Sequence, residues 1–321
     1  MMTFGGIASS ITNILVSISS SFTQILGFWG LNGYVQAFGY PSCCKLYSNW
    51  FPKKDRGKPL GFNEGLQSLS SFVIAPLGAF LIATFGWRYV YVIPVIPLFL
   101  LSFVFYYVAR NYPHDKNIPI KREYVTDTTT INAYKSALSD WRMIAAYVSY
   151  GGSQFGRFVI YTWVAKYIYE LTGNIIMAGW VTGLFALGGS IGSFFFGWLS
   201  DIFQKRWPLI TIGMLLSTLS LIIFAISPNA PIIILSILMA LCGFGIEAVE
   251  TCYFLLPIDV GEETGTEATG VGVMNAFGKL FATFQGVLFG LLLDLFNFKT
   301  SFLVTALICL LAALLVIPIR K

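Results

Sequence analysis

The chain has 321 residues, of which 56% are hydrophobic and 11% charged, with a formal net charge of +5. A soluble domain carries about 25% charged residues, and one or two such domains could not hide this much apolar surface. A disordered chain, a coiled coil and a nucleic-acid binder are excluded and a soluble enzyme is disfavoured. A polytopic membrane protein remains, a class that the mean hydropathy of +0.74 and the 31 glycines and 29 phenylalanines suit.

A spanning helix needs about 20 apolar residues. Ten such stretches follow one another, roughly 2–20, 23–46, 59–84, 88–109, 142–168, 175–199, 207–227, 231–256, 268–294 and 299–319. The longest polar interval, about 110–140, is rich in charge and threonine and reads as a cytoplasmic linker. The expected organisation is a four-helix N-terminal bundle over 1–110, a linker over 111–140 and a six-helix C-terminal bundle over 141–321. The opening MMTFGGIASSITNILVSISSS has no basic leading region, and no charged residue precedes Lys45, so it does not read as a cleavable signal.

Orientation follows from where the cations fall. With the N-terminus in the cytoplasm, fifteen of the 20 Lys and Arg lie in inside segments, among them Lys45, Lys53, Lys54, Arg56, Arg110, Lys205, Arg206, Arg320 and Lys321. Arg88, Lys166 and Lys299 fall outside, and Arg157 and Lys279 fall within spans. Both termini are expected in the cytoplasm of a plasma-membrane protein.

The stretch Arg56–Arg88 is echoed by Thr264–Lys299. Each opens with a Gly-spaced polar turn, runs through a small-residue helix and ends at an aromatic turn with a cation. Repeated helical bundles build many secondary transporters. The second copy is the fifth helix of its half and the first only the third, so the first half reads as two helices short.

Ionisable groups within a span default to functional candidates facing the bundle interior. Tyr150, Gln154, Arg157 and Tyr161 recur at spacings of 4, 3 and 4, which places them on one helix face. The planar guanidinium fork of Arg157 suits a carboxylate or phosphate; the alternative is a structural pairing with a nearby carboxylate. Glu247 and Glu250, three apart, share a face and suit proton coupling or a gating ion pair, and Lys279, one turn after Asn275, could neutralise one of them. Asn63 with Gln67, on either side of Glu64, and Asn32 with Gln36 are amide pairs four apart. They could contact substrate or glue helices together. Gly188 and Gly192 form a small-xxx-small packing pattern.

Three stretches resemble one family. NWFPKKDRGKPLG at 49–61, FGWRYVY at 85–91 and GWLSDIFQKRWP at 197–208 are similar to the loop motifs of the major facilitator superfamily. Within it, NGYVQAFGYPSCCKLYSNWFPKKDRG at 32–57, FGRFVIYTWVAKYI at 155–168 and LLPIDVGEETGTEATG at 255–270 resemble the organophosphate:phosphate antiporters. The resemblance implies an all-α, two-bundle membrane fold, here with about ten spans arranged 4 + 6 where the family has twelve. It implies alternating access, and it puts Arg157 at the position of the family's second phosphate-binding arginine. It also implies a cytoplasmic latch built from Asp201, Lys205, Arg206 and Arg56. Two family features have no match here: the first helix's phosphate-binding arginine, and the fifth helix's substrate histidine, where this chain offers Leu66 or Gln67.

The remaining chemistry is sparse. Cys43, Cys44, Cys242, Cys252 and Cys309 show no CxxC spacing and His114 is the lone histidine, so no metal site or cofactor is expected. No P-loop is present for ATP-driven transport, and no nucleophile–base pair for a membrane enzyme. The expectation is a secondary active transporter of a small organic anion, a phosphate ester or carboxylate, acting as a monomer in the lipid bilayer without nucleic-acid partners. Its rivals are a proton-coupled monocarboxylate symporter and a receptor that binds such an anion without transporting it.

Overall fold

The computed structural model describes residues 2–52, 55–112, 130–261 and 266–317. Among the described residues every regular element is helical. The first half contains α1 (Met2–Ile18), α2 (Phe22–Gln36), α3 (Gly39–Trp50), α4 (Gly57–Thr84), α5 (Arg88–Val92) and α6 (Val95–Val108). The short α7 (Thr130–Ala137) precedes α8 (Trp141–Val159), a π-helical turn (Ile160–Val164) and α9 (Ala165–Thr172). Then come α10 (Ile175–Phe203), α11 (Arg206–Ile226), α12 (Ile232–Ile246), α13 (Ala248–Gly261), α14 (Glu267–Leu295) and α15 (Phe298–Leu315).

Seven of these helices or continuous helix pairs are long and apolar enough to cross a membrane. The chain is an all-α integral membrane protein. The other three expected spans are built differently. α1 is an apolar helix of 17 residues. The stretch 23–46 breaks at Ala37 and Phe38, just ahead of Gly39 and Pro41, where a proline cannot donate to the preceding turn. The stretch 142–168 is interrupted by the π-helical turn, and such turns gather at functional sites. Polar caps end the spans: Asp140 accepts from the Arg142 amide at 2.9 Å, Asn174 from Ile176 at 2.9 Å, and Asn297 from Thr300 at 2.9 Å. Gly173 closes α9 at φ +64, a left-handed conformation that glycine adopts without strain. Of the expected linker, 113–129 lies outside the described residues, as do His114, Lys53, Lys54, Arg320 and Lys321; the part after it contains α7.

Glycines decide which helices touch. α10 lies along the full length of α4. A Cβ on Gly61 would meet the Ser193 carbonyl at 2.7 Å and Gly197 Cα at 2.8 Å, and one on Gly179 would meet Ala79 Cβ at 2.9 Å. The opposite side of α10 seats α12 just as closely. Gly188 faces the Ala240 backbone, Gly243 faces Phe185, and Gly192 faces Phe244 and Ala248. The pattern at Gly188 and Gly192 is therefore a helix-packing device. The continuous apolar core lies almost wholly between Met143 and Val316, with Cys44 and Leu60 its only members from the first half among the described residues.

Candidate functional site

α8 carries the polar face that the spacing indicated, and small residues draw it into the bundle. A Cβ on Gly151 would strike Phe281 of α14, and one on Gly152 would strike Ala312 of α15. On Gly156 it would strike Cys309 and Ile246. Held this closely, α8 presents Tyr150, Gln154 and Arg157 to the junction of α12 and α13, where the helix is interrupted at Glu247.

There the side chains close into one network. Arg157 Nε donates to Glu247 Oε1 at 3.1 Å, and its Nη1 donates to Glu250 Oε2. Glu250 Oε1 accepts from the Tyr150 hydroxyl at 2.9 Å and from Gln154 Nε2 at 2.8 Å. The Tyr161 hydroxyl, from the π-helical turn, donates to Glu247 Oε1 at 2.5 Å. Tyr150, Gln154, Glu247 and Glu250 are buried and Arg157 nearly so. All six residues expected from α8 and from the glutamate pair thus meet at one point. A charged side chain at mid-membrane costs about 2.5–3.5 kcal/mol on insertion scales, and here each charge finds an opposite partner.

The first half reaches the network through α3 and α4. Glu64, buried on α4, accepts from the Tyr40 hydroxyl and from Asn63 Nδ2 at 3.1 Å. The Tyr40 ring packs on Phe254 at 4.3 Å, and Phe254 packs on Tyr150 at 5.2 Å. Glu64 thereby stands within electrostatic reach of Glu250 and Arg157. Sequence reasoning noted Glu64 without giving it a role and passed over Tyr40. The available signal was an uncompensated acid inside an apolar span.

Toward the Thr84 end of α4 a cavity of about 790 Å³ opens beside Tyr161, lined also by Ser70, Ser71, Lys166 and Thr182. Toward the Gly57 end the halves are bonded to each other. Both Asp201 carboxylate oxygens cap the start of α4, accepting from the Gly57 amide at 2.7 Å and the Lys58 amide at 2.9 Å. A carboxylate is favoured there by the unpaired amides and the positive end of the helix dipole. Arg56 stands 3.7 Å from Asp259, and Arg206 Nε donates to the same carboxylate at 3.3 Å. Asp201, Arg206 and Arg56 thus come together at this end of the bundle, with Asp259, which faces both arginines and was not singled out from the sequence. Lys205 occupies the N-cap of α11 without a side-chain capping bond.

Other expected contacts lie elsewhere. Among the described residues Lys279 makes no direct ion pair with a glutamate; its ammonium sits 5.1 Å from the centre of the Phe158 ring, a cation–π contact within electrostatic reach of Glu250, and Arg157 engages both acids directly. Asn32 Oδ1 accepts from Ser9 at 2.7 Å and Thr12 at 3.0 Å, and Gln36 Nε2 reaches Ser9 at 3.4 Å, so this pair ties α2 to α1. Gln67 is exposed and outside the network, its backbone carbonyl accepting from Ser70 at 2.6 Å.

Comparison with known proteins points to one family. The profile of the Major Facilitator Superfamily matches residues 1–266 and 146–321. A glycerol-3-phosphate transporter of Bacillus subtilis is 26% identical over 329 residues, 95% of this chain and 73% of that protein. A probable hexose phosphate transport protein of Chlamydia trachomatis is 27% identical over 248 residues, 68% of this chain and 54% of that protein. The membrane sensor protein UhpC of Escherichia coli is 25% identical over 338 residues, 99% of this chain and 76% of that protein. The chain spans from about half to three quarters of the length of these relatives.

Proposed function

The chain belongs to the Major Facilitator Superfamily, and from that premise we propose that it is a secondary carrier of a small organic anion, foremost a phosphate ester. Its relatives are carriers and a sensor rather than enzymes. The observation that carries the reading is Arg157, nearly buried on α8 and joined through Glu247 to Tyr161, which lines the cavity. Two of its nitrogens are engaged by Glu247 and Glu250. A guanidinium offers five donors in a rigid fork, so Nη2 is left for an oxygen of the anion. Gln154, Tyr150 and Tyr161 shape that side of the site, and Asn63 and Glu64 face it from α4.

Transport proceeds by alternating access of a first bundle against a second, with residues 111–140 as their connection. Both termini and the Asp201 end of α10 lie in the cytoplasm of a plasma-membrane monomer. The described state is then closed to the cytoplasm and open through the cavity to the outside. Opening inward breaks the caps from Asp201 to Gly57 and Lys58 and separates Arg56 from Asp259. The incoming anion competes with the two glutamates for Arg157, which keeps the arginine neutralised in the empty carrier.

Counterflow in liposomes tests this reading. Vesicles loaded with phosphate should accumulate labelled glycerol 3-phosphate, and external phosphate should compete better than a monocarboxylate. Binding without exchange would instead favour the receptor reading, for which the similarity to a sensor along nearly the whole chain speaks. Better competition by a monocarboxylate would favour the carboxylate symporter.

A further inference from the structure

The two glutamates that hold Arg157 are not equivalent. Every oxygen of Glu250 has a donor: Tyr150 and Gln154 on Oε1, Arg157 on Oε2. Glu247 accepts from Arg157 and from Tyr161 on the same oxygen, Oε1. Its Oε2 is buried without any hydrogen-bond partner. That oxygen lies against the backbone of Gly189, where a Cβ would collide with it and would come within 2.8 Å of the carboxyl carbon. A bare carboxylate oxygen in a dry interior is costly, and the usual escape is to neutralise the group.

The surrounding charges point the same way. Arg157 faces Glu247 from α8, Tyr161 from the π-helical turn and Glu250 from α13. Glu64 stands on α4, Tyr40 on α3 and Cys242 on α12. From α14 comes Lys279, over Phe158. The face of α10 brings only Gly189 and the Ser193 hydroxyl, which donates to the Glu247 backbone carbonyl at 3.5 Å. Three carboxylates thus meet one guanidinium, and they outnumber the cations by one even when Lys279 is counted. Glu64 is bound by neutral donors alone among the described residues. Carboxylates that share one site do not all ionise together.

We propose that Glu247 is a proton-binding site, protonated at Oε2, beside the contact of Arg157 with Glu250. The Ser68 hydroxyl on α4 reaches the Glu247 carboxyl from the opposite half of the molecule. Protonation removes one of the two anions competing for Arg157. It therefore prepares the guanidinium for an incoming anion, and the proton travels with that anion. Only this last use of the proton rests on the carrier reading.

Infrared difference spectroscopy of the full chain in liposomes, stepped between acidic and alkaline buffer without any substrate, tests the assignment. Wild type should show a protonated-carboxyl stretch that persists at neutral pH and shifts in D2O. Glu247→Gln should lose that band and Glu250→Gln should keep it. Gly189→Ala leaves the carboxyl in place chemically but crowds Oε2, and should shift or abolish the same band, which covers the case in which Glu247→Gln does not fold. The absence of such a band in wild type, or its loss in Glu250→Gln with retention in Glu247→Gln, overturns the proposal. Because no substrate is present, a failed counterflow experiment leaves this result standing, and a missing band leaves the carrier reading standing.

Discussion

The two halves of the molecule solve the same packing problem to very different extents. In the spans of α10, of α11 and of α12 with α13, 56% of the most apolar window is buried, and 39% in α15; α4 has 22% and α5 with α6 11%, while the peripheral α14 of the second half has 17%. The second half interlocks through backbone contacts at glycine, and its core runs unbroken from α8 to α15. The first half turns large apolar side chains such as Phe22, Leu26 and Tyr107 outward. It meets the second mainly along one helix, α4. In a bilayer such faces are at no disadvantage, because lipid tails are as apolar as leucine. The difference teaches that the charged network is assembled by the well-packed half, whereas the first half supplies one wall and half of the seal.

That contrast can be broken experimentally, starting where the effect is largest. Arg157→Ala strands two buried carboxylates, a change worth about 3–5 kcal/mol when one member of a buried pair is removed. Exchange should fall to background, and adding Glu247→Gln with Glu250→Gln should recover thermal stability but not exchange. Full transport by the single variant would remove Arg157 from the site. Next in size, Gly188→Leu should lower stability by about 1–3 kcal/mol through overpacking against the Ala240 backbone. Gly30→Leu in α2, where nothing lies within 4 Å of a new Cβ, should change it by less than about 0.5 kcal/mol. Equal melting shifts for the two variants would mean that the halves are packed alike.

The seal comes third. Asp201→Ala removes the cap from α4, a loss of about 0.5–2 kcal/mol, and should make a cysteine introduced near Gly57 more reactive to a membrane-impermeant thiol reagent from the cytoplasmic side. Unchanged labelling would show that the halves part elsewhere. Smallest is Asn32→Ala, which deletes the tie between α1 and α2. Polar contacts between membrane helices average about 0.6 kcal/mol, so stability should drop slightly with KM for glycerol 3-phosphate unmoved. A raised KM with unchanged stability would return Asn32 to the substrate site.

Much of this was legible in the chain before folding. Spacings of 4, 3 and 4 put Tyr150, Gln154, Arg157 and Tyr161 on one face, and three of them do share an α-helical face. Tyr161 reaches Glu247 from a π-helical turn that no local pattern announced. Asp201 and Arg56 were readable from loop motifs, whereas Asp259 looked like an ordinary acid at a span's end. Charge alone suggests that Lys279 neutralises a glutamate; in the fold its ammonium stands over Phe158 within electrostatic reach of Glu250, while Arg157 makes the direct ion pairs with both acids.

The sequence by itself determined that this is a helical membrane protein, where most of its spans lie and which face of α8 is polar. Apolar length and helical period are local properties, and the absence of water to hydrogen-bond an open backbone enforces them. Only the tertiary structure decided which acids meet Arg157, that Asn32 and Gln36 bind α1, and that Glu247 keeps one oxygen without a donor. A helix face has a direction but no named partner. Its partner is chosen by which backbones can approach closely, here at Gly151, Gly156 and Gly189, and that is settled between helices far apart in the chain.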